Sequence, residues 1–384
     1  MRLLIRLASA VPAATLLLSL AVAPALAAPT TRYVDDDGHA STGAGCSGSN
    51  AVPTTLQGGV DASSPGDTII VCPGTYVGTV TVTTANLTIK SSTKWKAIIV
   101  PATNHVSNTA LVFLNASGDK FNGFEVLVPT EGTCEYVSEM VLVRDAPHDT
   151  VKGNKIGITG HHGQGACGYV SGVGVDGASG GSQVLANRIT DFQGHGVSEL
   201  STGTVLVKDN IIKYNHSGNP VGSNSSSGIY DFPSSGGTAQ LRHNTISSLS
   251  SGGTTTPRLA YGIVTYGDHT DVRSNHASNV DTFIYEDSST SGLISNNVGT
   301  TNTRHGLDMS NSSNIEITGN TVGGTEVGVQ IDSGSNSNNF HDNDWRGAAA
   351  PDCLDPSTGG GTAGTKNTWV RNRGTGTPPG ICAP

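Results

Sequence analysis

The sequence predicts an all-β protein, a single domain wound as a parallel β-helix. Three observations carry this reading: a recurring apolar-x-polar-Asn-apolar unit, a Gly-apolar unit after each asparagine, and a composition rich in glycine and poor in charge. The asparagines are Asn154, Asn187, Asn210, Asn244, Asn275, Asn297, Asn320 and Asn343, at intervals of 33, 23, 34, 31, 22, 23 and 23 residues. The base period is thus near 23, with about ten residues added three times. Weaker units centre on Asn86 and Asn122. The second unit begins at Gly172, Gly196, Gly228, Gly262, Gly306 and Gly328, with Phe283 standing in for glycine in one rung. Two or three short strands per period, with Val, Ile or Leu inward at alternate positions, is how a parallel β-helix reads. Leucine is too scarce for a leucine-rich repeat, and a propeller needs about 40 residues per blade. The asparagine suits a turn that tolerates left-handed backbone, with an amide that bonds to neighbouring coils.

The remaining elements follow in chain order. Residues 1–27 read as a secretory signal peptide: Arg2 and Arg6, an apolar stretch at 16–23, and the small-x-small site Ala25-Leu26-Ala27. No later apolar run approaches the roughly 20 residues that span a bilayer, so a soluble, secreted (extracellular) monomer is expected. Residues 28–90 form an N-terminal cap and the first coils, with a short capping helix within 51–61. Residues 91–347 carry the repeats, and 348–384, rich in Gly, Thr and Pro, read as a closing loop. Six cysteines in an exported chain favour disulfides. They fall into three neighbouring pairs, Cys46–Cys72, Cys134–Cys167 and Cys353–Cys382, which would staple the ends; no C-x-x-C spacing suggests zinc. Only 13% of residues are charged and the net charge is −9, without a basic run, which excludes nucleic acid as a partner.

The three long intervals all fall between the Asn and the next Gly, in 157–171, 213–227 and 247–260, whereas the Gly-to-Asn legs stay at 13 to 16 residues. Every added loop therefore leaves on the same side and should wall one sheet, a layout that suits an extended polymer. With each Gly as zero, position +2 points outward and gives Tyr230, Tyr285, Asp308 and Gln330; +4 gives Tyr266 and Asp287; −1 gives His195, Tyr261 and His305. Tyr230, Tyr266, Tyr285, Asp308, His195 and Gln330 are the candidate substrate-binding residues, since aromatic side chains stack on sugar rings. Position +3 should point inward yet holds Glu199, Asp231 and Glu286. Either the strand ends at +2 and these acids turn into the groove, the favoured reading, or they are buried with partners. As an outward cluster they could bind Ca²⁺, the one cofactor suggested, or act as acid and base.

Tyr261, Glu286-Asp287 and Arg304-His305 lie in three consecutive rungs and so stack within about 10 Å. A phenol, a carboxylate, a guanidinium and an imidazole are the equipment for β-elimination or epimerisation at a uronate: a cation neutralises the carboxylate, a base takes the C5 proton, and an acid serves the C4 oxygen or the opposite face. Tyr261, Arg304, His305 and Asp287 are the candidate catalytic residues.

The repeat pattern, with Pro65-Gly66-Asp67-Thr68-Ile69-Ile70-Val71-Cys72-Pro73-Gly74-Thr75-Tyr76 at its start, resembles the right-handed parallel β-helix superfamily that includes pectate lyases. Residues 261–331 resemble the β-helix module of alginate C5-epimerases and, more distantly, alginate and chondroitin lyases. Tyr261, Asp287, Arg304 and His305 match that module. The resemblance implies an acid or second proton carrier in Tyr261 and carboxylate binders or assistants in Arg304 and His305. The module's D-P-H element is missing; Val264-Thr265-Tyr266 stands in its place. The leading expectation is a polysaccharide lyase or C5-epimerase acting on an acidic polysaccharide. Two alternatives stay open: a glycoside hydrolase with a carboxylate pair from Asp231, Glu286, Asp287 and Asp308, and a non-catalytic carbohydrate-binding or surface protein. His161-His162, in a Gly-rich loop, could be a metal pair but reads more simply as loop. No nucleophile-elbow, P-loop or dinucleotide motif is present.

Overall fold

The computed structural model describes residues 28–41, 43–102, 110–129, 138–159, 170–192, 194–214, 226–234, 236–249, 260–349 and 351–383. The chain winds through three parallel sheets in a fixed order, here sheet I (13 strands), sheet II (10 strands) and sheet III (12 strands). One coil consists of Gln183–Leu185 in sheet I, Arg188–Thr190 in sheet II and His195–Ser201 in sheet III. Alternate residues point inward and stack on another aliphatic residue one coil away, as Val173, Val197, Ile229, Ile263, Ile284, Leu307 and Val329 do along sheet III. All seven are buried. This is the parallel β-helix expected from the sequence, and the inward and outward assignments at +1 and +2 hold in register.

The asparagines occupy the corner between sheets I and II and form one continuous buried ladder. Each Oδ1 accepts the backbone N–H and the side-chain Nδ2 of the asparagine one coil earlier, at 3.1 and 3.0 Å for Asn210 onto Asn244 and 2.9 Å twice for Asn244 onto Asn275. The other Nδ2 proton goes to a carbonyl, as from Asn244 to Val207 O at 2.9 Å. The left-handed φ falls on the preceding residue: 50° at Ala186, 58° at Asp209, 55° at His243. Asn122 is not a ladder member. Phe124 holds that place, its N–H donating to Asn154 Oδ1, and its ring stacks on Phe121 at 4.4 Å. Asn86 is a left-handed turn residue with φ 61°.

The glycines at the start of the sheet III strands are required by close approach. A Cβ on Gly196 would lie 2.5 Å from Ile212 Cγ2 and 2.6 Å from Gly228 O, and one on Gly306 would lie 2.3 Å from Val322 Cγ1. Phe283 breaks the rule because the facing position in sheet II shrinks. The row Ile189, Ile212, Ile246 runs on to Ala277 and Gly299 before Val322, and a Cβ on Gly299 would meet the Phe283 ring at 2.6 Å.

The capping helix is shorter than its predicted segment, Leu56–Asp61, with Thr55 Oγ1 accepting the Gly58 N–H and Leu56 and Val60 buried on the first coil. Disulfides Cys46–Cys72 and Cys353–Cys382 staple the two ends. Cys134 and Cys167 lie outside the described residues, as do His161-His162. Residues 348–384 do more than close the helix: Cys353–Leu354, Thr368–Val370 and Gly376–Thr377 extend sheets III and I. Among the described residues no helix is long and apolar enough to cross a membrane.

The inward carboxylates correct a sequence expectation. Glu199, Asp231 and Glu286 do not turn into the groove; their strands run on through +3, and all three side chains are buried inside the helix. They persist there because neighbours are polar. Glu199 bonds to Asp231 and accepts the Ser201 N–H at 2.8 Å. Glu286 accepts the Thr265 hydroxyl and lies beside Ser289, whose hydroxyl donates to the Gly267 carbonyl at 3.0 Å. Burial pushes Glu199 upward and Glu286 to about 7. At the corner between sheets III and I, Asp119 and Asp149 accept the N–H groups of Leu87 and Asp119 at 2.7 and 2.8 Å, and burial pushes them to about 7 and about 8.

Two outcomes follow from this interior. Asn244→Ala orphans the Asn210 N–H and the Val207 carbonyl, so chemical denaturation should show a loss of roughly 3–5 kcal/mol. Asp119, Asp149 and Glu286 stay protonated in the fold but ionise near pH 4 when unfolded. The unfolded chain then binds fewer protons, so stability falls as pH rises from about 4 to about 8. The melting temperature should drop between pH 5 and pH 8, and Asp149→Asn or Glu286→Gln should each flatten part of that drop.

Candidate functional site on the outer face of sheet III

The outer face of sheet III is organised by the same register. Its first row runs His195, Ser227, Tyr261, Thr282, His305, Val327 across consecutive strands. The second runs Ser198, Tyr230, Val264, Tyr285, Asp308, Gln330. Phe232, Tyr266 and Asp287 stand at the far edge, two residues beyond Tyr230, Val264 and Tyr285. Five joins, at 103–109, 130–137, 160–169, 215–225 and 250–259, connect a strand of sheet II to the next strand of sheet III.

Aromatic side chains cover the first four of these strands without a gap. The His195 ring lies flat on Tyr230, centroids 4.2 Å apart and planes 7° from parallel, with Nδ1 hydrogen-bonded to Ser227 Oγ at 2.7 Å. Burial holds His195 at about 3, so it is a neutral ring at working pH. Tyr266 packs against Tyr230 at 5.8 Å, Phe232 at 5.2 Å and Tyr285 at 6.2 Å, and Tyr285 meets Tyr261 at 5.3 Å. Phe232, 48% exposed, offers an apolar ring to solvent. Sequence reasoning left it out of the site; its +4 position beside Tyr266 was the available signal. Ser227, the partner of His195, was likewise missed.

Beyond Tyr285 the face becomes charged. The Tyr285 hydroxyl donates to Asp287 Oδ2 at 3.3 Å, and the Ser288 hydroxyl donates to Asp287 Oδ1 at 2.9 Å. On the next strand His305 Nδ1 and Asp308 Oδ2 are 2.8 Å apart, the imidazole largely buried. A carboxylate there holds the Nδ1–H tautomer and leaves Nε2 as a base. Arg304, the residue before that strand, is exposed, and among the described residues its guanidinium has no ionic partner. Its charge acts on Tyr261, as does that of Asp308, although burial dominates and pushes the phenol well above its usual range. Burial also raises Tyr230 and Tyr266, and takes Tyr285 to about 12. These phenols are proton donors at neutral pH, not bases.

The structure therefore brings Tyr261, Tyr285, Asp287, Arg304, His305 and Asp308 together on three adjacent strands, with Gln330 beside Asp308 on a fourth. It separates from them Glu199, Asp231 and Glu286, which lie beneath the floor. For calcium, among the described residues one group of three ligand-type side chains gathers within 4.8 Å, Asp35 with Cys46 and Cys72. Its two sulfurs are joined in a disulfide.

Residues 171–345 match the family model described as right-handed beta helix region. No curated protein matches the chain in sequence. Among solved structures, the catalytic unit of a thermostable GH87 α-1,3-glucanase from Streptomyces thermodiastaticus is similar at 15% identity and a TM-score of 0.53, over 81% of this chain and 64% of that one. The chain thus spans less than two thirds of that unit's length. An alginate lyase from a Paenibacillus species is similar at 11% identity and a TM-score of 0.51, over 80% of this chain and 99% of that one. A family 28 exopolygalacturonase from Yersinia enterocolitica is similar at 10% identity and a TM-score of 0.51, over 90% and 76%. At such identities the likeness is one of fold. Winding and register give the chain the fold of a parallel β-helix, and the family match over 171–345 describes that region as right-handed.

Proposed function

We propose that this chain is a secreted, carbohydrate-active enzyme that cleaves or epimerises an acidic polysaccharide on the outer face of sheet III. One observation carries the reading: a guanidinium free of ionic partners among the described residues (Arg304) stands beside a His305–Asp308 pair, with a protonated phenol (Tyr261) two strands away in the same row. The fold neighbours include an alginate lyase, an exopolygalacturonase and an α-1,3-glucanase by name, which supports polysaccharide as the substrate class. The aromatic floor from His195 to Tyr285 offers stacking surface to the sugars on one side of the reacting unit.

In this reading Arg304 pairs with the uronate carboxylate and stabilises the charge that develops on it when C5 loses its proton. His305 Nε2 takes that proton, and Asp308 stabilises the imidazolium formed. For elimination, the C5 electron pair forms the C4–C5 double bond, the C4–O bond breaks, and Tyr261 protonates the departing oxygen. For epimerisation, Tyr261 instead returns a proton to C5 from the opposite face. Asp287 positions Tyr285 through its hydroxyl. A hydrolase would draw on the two surface carboxylates, Asp287 and Asp308, because Asp231 and Glu286 are buried.

The test is incubation of residues 28–384 with alginate, pectate, hyaluronan, chondroitin and neutral glucans. Ultraviolet absorbance should rise as unsaturated uronate ends form, or the alginate NMR spectrum should change without cleavage. Arg304→Ala and Tyr261→Phe should each lower the rate by about 10²–10³-fold, with the melting temperature unchanged. Reducing ends without absorbance would transfer the activity to Asp287 and Asp308. Silence in all three readouts would leave a binding protein.

A second outcome concerns Asp308. Asp308→Asn removes the carboxylate that selects the His305 tautomer, and should lower kcat by about 10²-fold or more while leaving KM within a few-fold.

A further inference from the structure

We infer that the outer face of sheet I is a second glycan-binding surface, specific for an anionic polysaccharide and separate from the sheet III site. The inference rests on register, charge and a cavity, and is independent of the catalytic reading.

One outward row of sheet I runs Lys90, Asn122, Lys152, Leu185, Lys208, Arg242, Arg273 in unbroken coil-to-coil register. Five of seven positions are cationic, on a chain of net charge −9. Like charges directly opposite across strands destabilise a sheet, and here Lys208, Arg242 and Arg273 are direct neighbours. Two acids answer them. Asp271, one row over, accepts from both Arg242 and Arg273, and Asp209 lies 3.7 Å from Lys208. Lys152 has no ionic partner among the described residues, and the buried Arg242 Nε has no acceptor there. The row therefore remains net positive after its own counter-charges are spent.

At the Arg273 end of the row lies a cavity of about 300 Å³, lined by Gln240, Asp271, Arg273, His269, Leu293 and the threonine pair Thr204 and Thr238. Its chemistry suits a sugar unit. Asp271 is fixed by two guanidiniums and presents acceptor oxygens to hydroxyls. Gln240 and Arg273 supply donors, and Leu293 offers an apolar contact for a ring face. His269 is oriented by Ser291 Oγ at 2.6 Å from Nδ1. From this cavity the cations recede along the helix axis, one coil apart from Arg273 to Lys208 and two coils apart from Lys208 to Lys152 and from Lys152 to Lys90, at roughly 4.8 Å per coil. That line is the track an extended polyanion would follow.

The experiment is affinity electrophoresis of residues 28–384 in gels containing polygalacturonate or neutral dextran. Polygalacturonate should retard the protein and dextran should not. Lys152→Gln/Lys208→Gln, at solvent-facing strand positions, should weaken the retardation roughly tenfold, and Arg273→Gln should weaken it too, while Arg188→Gln, an exposed position on sheet II, keeps it. Thermal melts of each variant confirm the fold. Undiminished retardation in the double-lysine variant, or equal retardation by dextran, would overturn the inference. Retardation lost with the lysines but no turnover on any polymer would defeat the catalytic reading and leave this one standing. Turnover with no retardation would do the reverse.

Discussion

The structure depends on one repeated hydrogen bond: an asparagine Oδ1 accepting the backbone N–H of the asparagine one coil earlier. The corner between sheets I and II turns too sharply for its N–H groups to find strand partners. Buried there without acceptors, each would cost about 1–3 kcal/mol. The ladder satisfies them in series from Phe124 to Asn343, and Asn372 continues it, accepting from Asn343 at 3.2 Å. Because every amide is both donor and acceptor, the coils can stack only in register. The rows on the outer faces inherit that registration. Tyr261 and His305 share a row because Asn275, Asn297 and Asn320 share a ladder.

Much of this was legible in the sequence because a solenoid writes its geometry as a period. Spacing alone placed the asparagines, the Gly row and the outward positions, and even located the corner that carries the long joins. Where the reading failed, the cause was local. Asn122 looked like a ladder member, but the left-handed turn falls at Gly123 with φ 81°, so the corner position is Phe124. Glu199, Asp231 and Glu286 looked too polar for the interior. Only the three-dimensional neighbours, Ser201, Thr265 and Ser289, show how burial is made tolerable. The His305–Asp308 pair is an i, i+3 contact along one strand, which a period-2 pattern does not suggest.

The site itself is a gradient along the helix axis. Its early strands present rings, and its later strands present charge. Stacking surface is indifferent to sugar substituents, whereas a guanidinium without an ionic partner among the described residues can pair with an anion. Burial favours the protonated, neutral form of Glu199 and Glu286 beneath the same sheet, which lessens the field they add to the face above. The charge a ligand meets is set by Asp287, Arg304, His305 and Asp308.

The constancy of the Gly-to-Asn legs has a further consequence. Every ladder bond joins residues at the ends of those legs, whereas the joins at 160–169, 215–225 and 250–259 run between sheet II and sheet III. Length and register are therefore decoupled. A segment of any size can be spliced into that one corner without displacing a single interior contact. For protein engineering this makes the chain a linear rack with interchangeable inserts, in which the surroundings of the sheet III face can be rebuilt coil by coil while the frame beneath stays untouched.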